Sequence, residues 1–306
     1  MKTPVEIEEA AGDITLRPSD MPALFDAADK ASVSSRAMFF GIVRAQVVLL
    51  LTGVVSGTIA TATDTEQVAM VGVAAFIAVA ALRVYSRLSS VEATWYDARM
   101  AAESVKSLSW RYAVGGEPFP VEGLSGKEAD ALFSARLWEL LSDLGNLRTP
   151  PNRGAHYQIT PAMRNLRLAG LVARKTAYEQ DRVGDQAAWY ADRARHNERQ
   201  SRFWDAMFVL SSAVAIMFGL LQAFGAVGVN VLGVAGFVAA LITMWTGVRR
   251  YDRQARAYGI TAHELLAMAS IMQPIDEEEE WASFVDSAEA AVSEEHTGWR
   301  VSRARA

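Results

Sequence analysis

Few residues in this chain are equipped for chemistry, and they do not converge. His263 opens the phrase HELLA, which begins as the zinc-protease pattern HExxH does. That chemistry needs a second imidazole one helical turn on, and the position holds Ala267. His156, His196, His263 and His296 lie far apart, none at ligand spacing, and there is no cysteine to supply a thiolate or a disulfide. No phosphate-cradling glycine loop and no strand signal for a nucleophile elbow occur. In SEEHTGW, His296 beside Glu295 offers an acid–base pair, but a solvated helix end explains the phrase as well. The expectation is a protein that is not an enzyme and takes no cofactor or metal.

A different chemistry, passage of ions, is open to polar side chains set in apolar surroundings. Arg44, Gln46, Gln222 and Asn230 stand in or beside long apolar runs, with Thr52 and Ser56 also on the first. An intramembrane charge faces a bundle interior or a wet cavity by default. Arg44 also has the option of snorkelling to headgroups, and both placements stay open. The phrase GVVSG puts Gly53 and Gly57 at GxxxG spacing, read here as close packing between neighbouring spans.

The elements that must position these residues are membrane spans. Residues 206–248 run for 43 positions without a charge, and a helical crossing needs about 20. With the glycines of AFGAVGVN at its middle, that run suits a helical hairpin. A second hairpin lies earlier, in the charge-free runs 45–63 and 67–82, separated by Asp64, Thr65 and Glu66. Four spans are expected, two and two.

Basic residues set the orientation. Lys30 and Arg36 precede the first span, Arg83 and Arg87 follow the second, and arginines crowd 193–202 and 249–256, whereas the hairpin turns carry none. By the positive-inside rule both termini and the middle section are cytoplasmic, with Trp204, Trp245, Tyr85 and Tyr251 at the interfaces. The acidic start MKTPVEIEEAAGD lacks an apolar core, so no cleavable signal is expected. A net charge of −5 gives no reason to expect nucleic acid, and the local positive charge suits anionic lipids.

The fold class follows: an all-α membrane protein, two transmembrane hairpins continued by long cytoplasmic helices that form a bundle or stalk. The divisions are a cytoplasmic segment 1–37, hairpin one 38–84, a helical region 85–203, hairpin two 204–249 and C-terminal helices 250–306. Near-heptad seams run from Val84 through Leu88, Val91, Trp95, Ala98, Ala102, Val105, Leu108 and Tyr112, and again from Val248 to Met272. The first stops at Gly115-Gly116. Thr160-Pro161 reads as a helix start whose helix runs on into the third span. The acidic run 276–280 falls in the first turn of a last helix, where carboxylates suit the dipole. Trp95, Trp110, Tyr112, Trp189 and Trp299 are candidates for stalk or partner contacts, with ordinary core packing the alternative.

The phrases WYDARMAAESVKSLSWRYAVGGEPF, QITPAMRNLRLAGLVARKTAYEQDRVGDQAAWYADRARHN and EAAVSEEHTGW resemble the bacterial SLATT family in a tandem form. The resemblance implies an inner-membrane effector of a stress or phage-defence conflict system, forming homo-oligomers that permeabilise the membrane in a pore-like way. It also implies a separate nucleotide-sensing or signalling protein as partner, beside the membrane lipids. The competing reading is a non-conducting scaffold or receptor whose stalk docks a soluble partner. A transporter is disfavoured, since the spans hold no Asp or Glu.

Overall fold

A computed structural model describes residues 15–143, 157–227 and 231–304, with side chains for all of these except 143 and 293–304. After a short 3-10 turn the regular structure is α1 Ala23–Thr63, α2 Glu66–Leu88, α3 Val91–Val114, α4 Gly126–Asp143, α5 Pro161–Leu168, α6 Leu171–Ala177, a π-helical turn Tyr178–Gly184, α7 Asp185–Ala223, α8 Val231–Arg249, α9 Tyr251–Met272 and α10 Glu278–Ala304. No strand occurs among the described residues. Four helical stretches are long and apolar enough to cross a bilayer: Ala23–Thr63, Glu66–Val114, Leu171–Ala223 and Val231–Met272. The all-α expectation holds, and so do the four apolar spans.

The chain divides into two compact units, one of residues 1–35, 93–189 and 261–306, the other of 36–92 and 190–260. The second carries the apolar runs. In its first hairpin, Asp64 turns the chain at φ 50° between α1 and α2. The two helices approach so closely that a Cβ on Gly72 would lie 3.2 Å from the carbonyl oxygen of Gly53. A Cβ on Gly53 would meet the Phe76 ring at 2.8 Å. Only glycine permits that contact. The hydroxyls of Thr52, Thr58, Thr61, Ser212 and Thr243 donate to the carbonyl one turn back, as a medium without water requires.

Two sequence expectations need correction. The seam from Val84 to Tyr112 lies on two helices, because Ser90 adopts φ 47° between α2 and α3. Val84 and Leu88 are exposed, and burial begins at Val91. Arg250, at φ 53°, makes the equivalent break between α8 and α9. Hydroxyl and backbone N–H bonds from Ser89 to the Tyr85 carbonyl close the end of α2, so composition that continues as helix conceals a joint. The helix starting at Pro161, capped by Thr160 Oγ1 accepting from the Met163 N–H, does not reach the third span in one piece. Ala169 and Gly170 are extended, and the run into the span begins at Leu171.

The first unit is a helical core around aromatic rings. Tyr178 packs edge-on to both Trp110 and Trp281, at centroid distances of 5.8 and 5.7 Å. Tyr112 meets Phe119 and Phe133 in the same manner. Such pairs add to the burial of the rings themselves. Helix α3 ends as its glycines predict: Gly115 is left-handed at φ 77°, and the Gly116 N–H donates to the Arg111 carbonyl at 2.8 Å.

Candidate functional site

Inside the first unit, the end of α3 leaves carbonyls pointing into a buried space, and helix ends demand donors. Arg167 and Arg174, both buried, supply them: Arg167 donates to the carbonyls of Tyr112, Phe119 and Pro120, and Arg174 to those of Val114 and Ala169. The Trp281 indole N–H donates to Val114 as well, at 2.8 Å. Each guanidinium positive charge thus sits at the negative end of a helix dipole.

The balancing charge comes from α10. Glu278 pairs with Arg174, Asp286 with Arg111, and Glu289 with Arg182. The last pair is wholly inside: Arg182 is 3% exposed and Glu289 0%. Its geometry is a two-pronged fork, Nε to Oε1 at 2.8 Å and Nη2 to Oε2 at 2.6 Å, and the Tyr178 hydroxyl donates to Oε1 at 2.9 Å. The π-helical turn carries both Tyr178 and Arg182 and delivers them to one carboxylate. Burial alone would raise the Glu289 carboxyl; Arg182, with hydrogen bonds from Arg182, Tyr178 and Ser107, outweighs it and holds the group below its usual range. Tyr178 is driven upward by burial and by that same carboxylate.

Lys106 borders the network and donates to Gln186 at 3.4 Å. Burial, then the like charge of Arg182, pushes its ammonium down to about 8, against the opposing pull of Glu103 and Glu289. A Tyr112–Asp130–Arg164 chain closes the other side of the core, and burial plus the Asp130 bond push the Tyr112 phenol up to about 12.

The residues singled out from sequence fall in different places. Trp110 and Tyr112 are each 1% exposed, so they are core residues and present no face to a partner. Trp95 is half-buried against Tyr96, Trp189 is 42% exposed, and the side chain of Trp299 lies outside the described residues. Arg44 and Gln222 are exposed and Gln46 half-buried, while Asn230 lies outside the described residues. Gly53 is drawn against α2, and the backbone N–H of Gly57 faces Gly72. The 19 residues from Ala45 to Thr63, which follow Arg44 directly, rise about 28 Å, one hydrocarbon thickness. His263 and Glu264 are exposed on α9, and no group of three His, Asp or Glu able to hold a metal occurs among the described residues.

The arginine–carboxylate framework was not anticipated. Its signal was present: Glu289 continues the buried stripe Ala282, Val285 of α10 at spacings of three and four, where an apolar residue belongs.

Helical hairpins with apolar faces, joined to a charge-latched helical core, define a multi-pass membrane protein. The comparisons place it further. Residues 22–175 match the SMODS and SLOG-associating 2TM effector domain 3, and residues 178–299 match the SMODS and SLOG-associating 2TM effector domain 1. The first match alone spans half of the chain, and the protein belongs to this two-transmembrane effector (SLATT) family as a tandem member. No curated protein and no solved structure matches it.

Proposed function

We propose that this protein is an effector of a bacterial conflict system that acts on the inner membrane itself, through oligomers that open a leak, without catalysis. Its helical first unit faces the cytoplasm, and a separate sensing or signalling protein engages it there. The observation that carries this reading is the tandem of two effector domains, each contributing a hairpin long and apolar enough to cross a bilayer. SLATT effector domains are associated with conflict and defence systems, and a chain whose apolar surface is committed to the membrane has the membrane as its target. Gln46 and Gln222 are the polar side chains offered to a conducting path, which need not be rich in charge.

The test is a membrane-potential dye and potassium-release assay in bacteria during induced expression, with protein in the membrane quantified. Depolarisation and potassium loss before lysis, reduced by Gln46→Leu at matched membrane levels, are expected. Full-level insertion with potential and potassium unchanged overturns conduction. A non-conducting scaffold is then the reading left. Trp138, Leu168 and Val172 favour that second reading, since each is at least 73% exposed in the first unit and available to a soluble partner.

A further inference from the structure

At the charged end of the spans, three helices of the second unit bring cationic and aromatic groups together. Arg36, Phe40 and Arg44 are spaced four apart and share one face of α1. From α8, the Arg249 guanidinium lies 3.8 Å from the Phe40 ring centroid and 4.9 Å from that of Trp245. Trp245 in turn sits 6.2 Å from Trp204 of α7. Arg36 and Arg44 are the cationic neighbours acting on Arg249. Among the described residues neither Arg44 nor Arg249 has a carboxylate partner. Asp205, next to Trp204 in sequence, makes no ion pair there either.

Three buried donors are left over. Arg249 Nε and the indole N–H groups of Trp204 and Trp245 have no acceptor, and Trp245 is only 9% exposed. Buried donors are almost always satisfied, so three together mark a place where an acceptor from outside the chain belongs. Clustered like charges ask for an anion. Directly below Trp204 runs an apolar crevice of about 440 Å³ between α7 and α8, lined by Met207, Leu210, Val214, Val238 and Ile242.

We infer that this rim and crevice form a binding site for one anionic phospholipid, its phosphate held by Arg44 and Arg249 and one acyl chain lying along the crevice. The chemistry discriminates by charge at the head and by chain at the tail. A zwitterionic lipid brings a choline cation up to the arginines, and inorganic phosphate has nothing to place between α7 and α8. The tryptophan N–H groups meet the ester carbonyls just beneath the headgroup, the depth at which interfacial tryptophans reside. The site is independent of whether the protein conducts.

The test uses the full-length protein purified in a neutral detergent, and reads thermal unfolding and lipid retention by native mass spectrometry. The probes are phosphatidylglycerol, phosphatidylcholine and inorganic phosphate. Phosphatidylglycerol is expected to raise the unfolding temperature and stay bound, the other two to do neither. Arg249→Gln and Arg44→Gln should each weaken the phosphatidylglycerol effect about fivefold, and the pair together more than twentyfold. Trp204→Phe keeps the ring packing and serves where an arginine variant fails to fold; it should reduce retention while leaving the lipid-free unfolding temperature in place. Equal effects of phosphatidylcholine, or a phosphatidylglycerol effect that survives both arginine substitutions, overturn the site. Stabilisation by phosphate alone overturns it too, reducing the rim to a simple anion site.

Discussion

Glu289 shows how one side chain organises its neighbours. Three donors from a single π-helical turn, Arg182 Nε and Nη2 and the Tyr178 hydroxyl, end on its two oxygens in a space closed to solvent. Removing one member of such a pair leaves the other buried and unpaired, which costs about 3–5 kcal/mol, whereas replacing both by apolar groups is close to neutral. Glu289→Gln is therefore expected to lower the unfolding temperature strongly, and Arg182→Met with Glu289→Leu to restore most of it. A double variant as unstable as the single would sink the pairing argument. Lys106 gives the pH dependence. Its pKa is about 8 in the fold against 10.5 in the free side chain, so between those values the unfolded chain binds more protons. Stability then rises from pH 8 to pH 10.5, by on the order of 3 kcal/mol at most. Lys106→Met should stabilise the protein at pH 7 and flatten that rise, as read by thermal unfolding at pH 7 and pH 9.5.

At the scale of elements, the helices were legible and their breaks were not. Charge-free length named the spans, Gly115 named the end of α3, and Thr160-Pro161 named the start of α5, because each rests on local backbone chemistry. Ser90 and Arg250 gave no such sign. Neither is a glycine, so nothing in the residue type announces the left-handed backbone found at each. The contact between α1 and α2 is another case, half-visible as GVVSG, whose partner Gly72 only the fold identifies. Gly72→Val puts branched carbon against the Gly53 carbonyl, a backbone atom that cannot yield to it. A loss of about 1–3 kcal/mol is expected. Gly57→Ala should be mild by comparison, since its Cβ would meet nothing within 4 Å. Unfolding of the two purified variants side by side checks the ranking; equal losses would place the contact elsewhere.

For the whole molecule, the chain's lack of cysteine makes its orientation directly measurable. Thr65→Cys at the first hairpin turn should react with a membrane-impermeant maleimide on intact cells stripped of their outer membrane. Ser125→Cys, ahead of α4, should react only after the inner membrane is opened. The reverse pattern would invert the orientation drawn from the arginines. What the sequence hid at this scale is pairing over distance. Arg174 and Glu278 are 104 residues apart, and Arg182 and Glu289 107. Nothing in local periodicity says which distant charge meets which, and an arginine on a polar-looking helix gives no sign of being enclosed. The resemblance to the effector family was readable because it rests on contiguous aromatic phrases; the framework those phrases enclose depends on chain segments far from one another.

That α10 alone brings the carboxylates for Arg111, Arg174 and Arg182 has a bearing on the order in which the protein is made. Translation proceeds from the amino end, so the ribosome has produced both hairpins before any of these three acids exists. The nascent arginines stay solvated through that interval, since enclosing them without counter-charge is too costly. Both hairpins are thus expected to enter the membrane before the helical core shuts, which waits for α10 to emerge.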